Sequence, residues 1–221
     1  MQRRQFTRAL ALLLPASAFA LDETQAATGV RAALERGAAS AVSQLGRPGG
    51  FLDDPRVRIP LPGALNSAAS MLRAIGQQKR VDDLVDAMNR AAEKAVPEAR
   101  PLLVDAVRSM SVEDAVRIVR GGDTSVTEFF AAKTRAPLAE KFLPIVSAET
   151  AKVSLAAKYD AVASKGSAFG LVKPEDASVE RYVTRKALDG LFLMIGEEEK
   201  KIRADPVGTG SAILKAVFGG R

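Results

Sequence analysis

Apolar residues recur along this chain at intervals of three and four positions, which is the spacing of an α-helix that buries one face. The clearest stripe precedes Pro97 and consists of Val81, Leu84, Val85, Met88, Ala92, Ala95 and Val96. The same spacing extends over residues 30–218, with short breaks rich in glycine and proline. The pattern therefore predicts an all-α fold, a single compact multi-helix domain over residues 21–221. A division into two lobes at Gly121 and Gly122 is left open.

Helix-capping and helix-breaking residues divide this pattern into separate elements. Ser111 with Asp114, and Ser125 with Glu128, have the spacing of a capping box at a helix start. Pro144 is expected to kink or divide the helical pattern in which it lies. Helices are predicted over residues 29–45, 64–75, 81–96, 111–119, 136–163 and 179–203, with a loop at 164–174 and a final apolar helix at 213–218.

One segment follows a different pattern, with a period of two. In residues 56–62, two arginines and a proline alternate with three apolar residues, Val57, Ile59 and Leu61. Proline cannot donate to a β-ladder, so Pro60 and Pro62 confine this segment to an edge or to an isolated position. We expect residues 56–62 to form an extended, Pro-rich strap that lies in a groove between helices.

The first twenty residues have the pattern of a cleaved export leader. A basic start with Arg3 and Arg4 precedes an apolar run at 9–14, and residues 18–20 form an A-x-A cleavage site. The apolar run is too short to span a bilayer as a helix, so we expect cleavage after Ala20 and a periplasmic protein without a transmembrane anchor. The paired arginines resemble the twin-arginine export signal, and the general secretory route is the alternative.

Composition excludes several kinds of chemistry. The chain contains no Cys and no His, which excludes thiol nucleophiles, disulfides, haem ligation through His and every catalytic arrangement that needs either residue. Any metal ion would have oxygen ligands, as calcium, magnesium and manganese prefer, and no cofactor is predicted. Loss of the leader lowers the formal net charge from +6 to +3, which is too little to indicate a nucleic-acid partner.

A row of polar side chains borders the apolar stripe before Pro97. It consists of Asp82, Asp86, Asn89 and Glu93, which fall on one band of the predicted helix. Oxygen ligands in such a row could hold a hard cation or supply a general base. A solvated flank, or one paired with arginines of a neighbouring helix, is the competing interpretation.

Asp189 is the most unusual single residue, because it interrupts a run that is apolar on nearly all sides and is therefore expected to be buried. A buried carboxylate must be paired or change its pKa, and both occur at functional sites. Arg185 lies one turn earlier on the same face and Arg203 lies further along it, so these three residues are candidate ligand-binding residues. The alternative is a structural Arg-Asp pair that fixes helix packing.

The segment that begins at Gly121 could present backbone N–H groups to an anion at the start of the next helix. It lacks the ending of a P-loop, and a helix end followed by a helix start explains it equally well.

Long blocks of this chain resemble the bacterial envelope proteins grouped as domain-of-unknown-function 4197. The blocks are ALERGAASAV (33–42), LGRPGGFLDDPRVRIPLP (45–62), VDDLVDAMNRAAEKAVPEA (81–99), MSVEDAVRIVRGGDTSVTEFF (110–130), YVTRKALDGLF (182–192) and EEEKKIRADP (197–206). The resemblance covers nearly the whole mature chain. It implies an exported, mainly helical protein and carries no activity, cofactor or catalytic residue.

Three functions are compatible with these observations. The first is binding of a lipid or another apolar or amphiphilic ligand between aliphatic helices, without catalysis. The second is a hydrolase, metal-assisted or not, that uses Asp, Glu and Arg of the Asp82–Glu93 row or around Asp189. The third is a structural protein that binds a partner through its helical surface.

Overall fold

The helical spacing of the sequence corresponds to helices throughout most of the described chain. The computed structural model describes residues 23–168 and 176–205, and these residues contain no β-strand, so the all-α prediction is confirmed. The helices are α1 (Glu23–Leu45), α2 (Asn66–Ala74), α3 (Gln78–Ala95), α4 (Ala99–Arg108), α5 (Val112–Arg120), α6 (Ser125–Thr150), α7 (Ser154–Ala168) and α8 (Val179–Ala204). Short 3-10 turns, Gly63–Leu65 and Val96–Glu98, precede α2 and α4.

The centre of the fold is the pair formed by α6 and α8, each of 26 residues. They run antiparallel, because the start of α6 contacts the end of α8 at Val126 and Glu199, and Arg135 contacts Asp189 further along. Helix α3 packs on α6 and α1 packs on α8. Phe130 of α6 is among the fully buried side chains between these helices, together with Phe142, Leu138, Leu191 and Met194.

The start of α6 differs from the prediction. The helix begins at Ser125, its N-cap is Thr124 without a side-chain cap bond, and the predicted capping box of Ser125 with Glu128 is wrong. Ser125 Oγ instead donates to the carbonyl oxygen of Ile118 at 3.0 Å and so ties α6 to α5. The capping box of Ser111 with Asp114 at the start of α5 is confirmed.

Helix α6 contains both Pro137 and Pro144 and continues to Thr150. Of the two effects predicted for Pro144, a kink or a division, the division is wrong, and residues 151–153 separate α6 from α7 instead. Each proline removes one N–H donor from the helix, but packing against neighbouring helices supplies most helical stability in proteins. Contacts of α6 with α3 and α8 thus outweigh two local breaks.

Some predictions concern residues outside the described ones. The leader at 1–20 and the terminal helix at 213–218 lie there entirely. The predicted loop at 164–174 lies there in part, and in its described part α7 continues to Ala168. No helix of the described ranges is both long enough and apolar enough to cross a membrane.

The strap lies against α3 and α8 with its apolar face inward, as predicted. Its start is not extended as predicted, because the amides of Val57 and Arg58 donate to the Asp54 carbonyl in a turn. Val57, Ile59 and Leu61 are buried, whereas Arg56, Arg58 and Pro60 are exposed. Ahead of it, Gly49 turns the chain at φ +77°, in the region that favours glycine. This segment belongs to the connection between α1 and α2, residues 46–62, which lies across α3 and α8.

Candidate functional site

A groove of about 380 Å³ lies between α6 and α8. From α6 it is lined by Arg135, Ala139, Glu140 and Leu143, and from α8 by Arg181, Thr184, Arg185 and Leu188. These positions repeat at intervals of three and four on both helices, so each helix presents one stripe to the groove. Ala139, Leu143 and Leu188 make the lining mainly apolar, and arginines stand at its rim.

Thr184 is the most unusual polar group of the groove. The residue is 5% exposed, and its Oγ1 has no hydrogen-bond partner within the described residues. Two other buried helical threonines differ from it: Thr134 Oγ1 donates to the Phe130 carbonyl at 2.7 Å, and Thr150 Oγ1 donates to the Val146 carbonyl at 3.0 Å. A buried hydroxyl without a partner costs about 1–3 kcal/mol, and a ligand in the groove would recover that energy after a rotation about χ1 that exposes the hydroxyl to it.

Arg135 connects the two helices at one end of the groove. Its Nη1 donates to Asp189 Oδ1 at 3.0 Å, and its guanidinium lies 4.9 Å from the centre of the Phe192 ring. The side chains of Arg135 and Asp189 are each 43% exposed. The stacking on Phe192 holds the guanidinium in place. Only Nη1 donates to Asp189, so most N–H groups of Arg135 are not used in this pair.

Arg185 is held more firmly than Arg135. Its Nε donates to Asp176 Oδ1 at 3.2 Å, and its Nη1 lies 3.6 Å from Asp189 Oδ2. Burial disfavours the charged form, yet the hydrogen bond to Asp176 raises the pKa of Arg185 above its ordinary value. Tyr159 Oη donates to the Asp176 carbonyl at 2.7 Å, and burial raises the pKa of Tyr159 to about 12. The groove therefore has a permanent cation fixed beside Thr184.

The predicted burial of Asp189 is wrong, because its side chain is 43% exposed. Helix α8 keeps one narrow line toward solvent, and Asp189, Leu193 and Lys200 lie on it. Leu193 on this exposed line is apolar and 44% exposed. The sequence pattern therefore does not reveal that this side of α8 faces solvent. The predicted pairing of Asp189 with Arg185 is present, but the shorter contact is to Arg135 of α6.

Arg203, the third candidate, lies elsewhere, at the start of α6. Its Nη2 donates to Glu199 Oε1 at 2.7 Å and to the Ile118 carbonyl at 2.9 Å, and the Glu199 side chain is 1% exposed. Glu199 Oε2 also accepts the Val126 N–H at 3.2 Å. The Val126 amide, which could have bound an external anion after Gly121, is therefore bonded to the Glu199 carboxylate.

The polar row of α3 divides into two parts. Asp82 is exposed and Asp86 partly buried, whereas Asn89 and Glu93 turn inward to the connection between α1 and α2. Asn89 Oδ1 accepts the Ile59 N–H at 2.8 Å and its Nδ2 donates to the Ile59 carbonyl at 3.0 Å. Glu93 Oε1 accepts the amide hydrogens of residues 51 and 52 at 3.1 and 3.2 Å.

This arrangement commits two of the four proposed metal ligands to backbone groups. Across residues 23–168 and 176–205, no group of three or more His, Cys, Asp or Glu side chains is placed to hold a metal ion. Asn89 and Glu93 therefore act in the structure as anchors for an irregular segment.

Sequence reasoning missed Arg135 and Thr184. Arg135 stands 54 positions before its partner Asp189, and no local spacing connects them. Thr184 looks like any other helical threonine in the sequence. One signal was available: Arg135, Ala139 and Leu143 share a face with a four-residue spacing. Arg181, Arg185 and Leu188 likewise share a face, with spacings of four and three residues.

Comparison with known proteins gives a family. The model described as "Protein of unknown function (DUF4197)" matches residues 20–219, so the chain belongs to this family and the predicted resemblance is confirmed. No curated protein and no solved structure matches the chain.

Proposed function

We propose that this DUF4197 protein is an exported binding protein that holds an apolar or amphiphilic small molecule in the groove between α6 and α8. The observation that carries the proposal is the apolar groove of about 380 Å³ with Arg135 and Arg185 in its lining; beside them the Thr184 hydroxyl is buried and has no partner within the described chain. In the free protein this hydroxyl is unfavourable, and a rotation about χ1 that turns it into the groove would let an oxygen atom of a bound molecule satisfy it.

The size and lining of the groove support a small-molecule ligand. Ligand sites typically measure 300–1,000 Å³, are mainly apolar and carry a few polar groups that fix orientation. The groove has about 380 Å³, an apolar surface from Ala139, Leu143 and Leu188, and polar groups from Thr184, Glu140 and three arginines.

The same residues favour binding over catalysis at this groove. A threonine nucleophile needs an adjacent base to remove its proton, and Thr184 Oγ1 has no hydrogen-bonding neighbour in the described ranges. The arginines are permanent cations and poor proton-transfer groups at neutral pH. The carboxylate in the lining, Glu140, is exposed and does not hydrogen-bond the Thr184 hydroxyl, so it does not activate that hydroxyl as a nucleophile.

Export is part of the proposal and rests on the leader pattern of residues 1–20. A periplasmic binding protein would meet its ligand between the two membranes. The mature chain is therefore best purified from a bacterial envelope fraction, where its own ligand is present.

The test is native mass spectrometry of residues 21–221 purified from that fraction, with organic extraction of the same sample. Two variants localise the result: Ala139→Trp fills the groove, and Ala136→Trp places the same side chain at an exposed position of α6. We expect an extractable compound with the natural chain and Ala136→Trp, and its loss with Ala139→Trp. Equal loading of both variants would place the ligand elsewhere, and a bare mass for all three proteins would contradict ligand binding.

A further inference from the structure

We propose that the ligand of the groove carries an anionic head, a carboxylate or a phosphate, which binds Arg135 and Arg185 while its chain lies along the apolar lining. In the free protein, Asp189 occupies the place of that head. This inference rests on the proposed function and specifies the class of molecule bound, a single-chain anionic amphiphile.

The cationic end of the groove has donors available for an anion. A guanidinium offers five N–H groups in a planar fork that matches the two oxygens of a carboxylate or phosphate. Arg135 gives one hydrogen bond to Asp189, and Arg185 gives its bonds to Asp176, with Asp189 only at ion-pair distance of 3.6 Å. Asp189 is thus held by one hydrogen bond and one longer ionic contact.

Asp189 is a weakly held internal anion. Exposed ion pairs contribute little to stability, because water screens the charges and two long side chains must be ordered. The pair of Arg135 and Asp189 is half-exposed on both sides. An incoming carboxylate can take the same position, leave Asp189 to water, and bring its own apolar chain into the groove.

The order of residues along the groove gives the ligand a direction. Arg135, Ala139 and Leu143 follow one another on a single stripe of α6, about 12 Å from first to last. Because α8 runs antiparallel, Leu188 lies near Arg135, and Thr184 follows one turn further along the groove. A head held between Arg135 and Arg185 therefore lies close to Thr184, whose hydroxyl can donate to a head oxygen once a rotation about χ1 turns it into the groove.

The experiment compares probes that share one twelve-carbon chain and differ in the head. Isothermal titration calorimetry of delipidated residues 21–221 uses dodecanoate, dodecyl phosphate, dodecan-1-ol and dodecyltrimethylammonium, each below its micelle concentration. We expect at least one anionic probe to bind about tenfold more tightly than the alcohol, and the ammonium probe to bind most weakly. The ratio between carboxylate and phosphate then distinguishes a fatty acid from a phospholipid-like head.

Three variants connect the preference to named residues. Arg135→Gln should remove the preference for the anionic probe over the alcohol, and Arg135→Lys should restore part of it. Asp189→Asn should raise dodecanoate affinity severalfold because the competing anion is gone. Lys141→Gln, an exposed charge on α6 outside the groove lining, is the control and should change neither. Thermal unfolding of each variant checks that it is folded.

The outcomes separate this inference from the function on which it rests. Equal affinity for dodecanoate and dodecan-1-ol, or an unchanged preference in Arg135→Gln, would overturn the anionic head and leave the groove as a binding site. Absence of binding by every probe would overturn both.

Discussion

The connection between α1 and α2 and the groove between α6 and α8 both border α8, but their polar groups are satisfied to different degrees. In the connection, Asn89 and Glu93 bind backbone groups of the irregular chain, and Tyr182 Oη donates to the Pro60 carbonyl at 3.0 Å. In the groove, the Thr184 hydroxyl has no partner in the described chain, and Asp189 is held by exposed ion pairs.

The satisfied polar groups of the connection indicate a structural role, and the unsatisfied polar groups of the groove indicate a binding role. Irregular backbone that crosses a protein must have its N–H and C=O groups bonded, and the connection meets that demand through side chains of α3 and α8. A binding surface instead keeps groups that become satisfied when the ligand arrives. We therefore expect substitutions in the connection to change stability, and substitutions in the groove to change binding.

The largest expected effect is in the connection. Asn89→Ala removes both hydrogen bonds to Ile59 and leaves a buried N–H and C=O without partners, which should lower the free energy of unfolding by about 3 kcal/mol. Urea denaturation measures it. Asp82→Ala, an exposed residue two turns earlier on α3, is the control and should stay within about 0.5 kcal/mol. A loss no greater than the control's would show that the strap is not held by Asn89.

A second substitution tests how closely the connection packs on α8. An added Cβ at Gly190 would lie 2.8 Å from Cε1 of Phe51, a ring that is fully buried. Gly190→Ala should therefore cost about 1–2 kcal/mol, since overpacking outweighs the gain in helix propensity. Gly37→Ala, also inside a helix, is the matched control, because an added Cβ there would make only ordinary contacts at 3.5 Å. Chemical denaturation that ranks the two variants equally would refute the close contact.

The groove should respond in the opposite direction. Thr184→Val keeps the shape and removes the unpartnered hydroxyl, so the free energy of unfolding should rise by about 1 kcal/mol. Dodecanoate affinity, measured by calorimetry, should fall at the same time, whereas Thr184→Ser keeps the hydroxyl and should retain affinity. A destabilised Thr184→Val would mean that the hydroxyl contributes to folding, and the contrast between the two regions would be lost.

The smallest expected effect is a pH dependence of stability that comes from Asp160, a residue that supports the start of α8. Asp160 Oδ1 accepts the Val179 N–H at 2.8 Å, and burial raises the pKa of Asp160, against the opposing effect of that hydrogen bond. Because the pKa of Asp160 is higher in the folded state, protonation of this carboxyl stabilises the fold. This stabilisation is complete below the unfolded pKa near 3.8 and is lost as pH rises through the higher pKa of the folded state.

Asp160→Asn keeps the acceptor and removes the titration. Stability should then fall less between acid and neutral pH than it does in the natural chain, by under about 1 kcal/mol. Thermal unfolding over that pH range provides the measurement. A steeper loss in the variant would reverse the assigned sign.

Sequence spacing predicted the connection better than the groove. The alternation of Val57, Ile59 and Leu61 lies within seven residues, so a local pattern records which face is buried. The same reading selected Asn89 and Glu93 as unusual, but it could not show that they face backbone some 30 to 40 positions earlier.

Groove residues are connected only by the packing of two helices. Arg135 meets Asp189 because α6 and α8 run antiparallel, and that relation has no local signature in the sequence. The prediction that Asp189 is buried failed for a related reason. Leu193 is apolar but exposed, so the exposed side of α8 is not marked by a continuous row of polar residues. Burial inferred from apolar neighbours fails where a helix exposes an apolar residue.

The contact of Glu199 with Val126 and Arg203 joins the start of α6 to the end of α8 through a carboxylate whose side chain is 1% exposed. Removing one partner of a buried ion pair costs far more than removing one partner of an exposed pair. The two helices are therefore fastened to each other most firmly outside the groove. The exposed pair of Arg135 with Asp189 can exchange its anion while that distant fastening keeps the helices together.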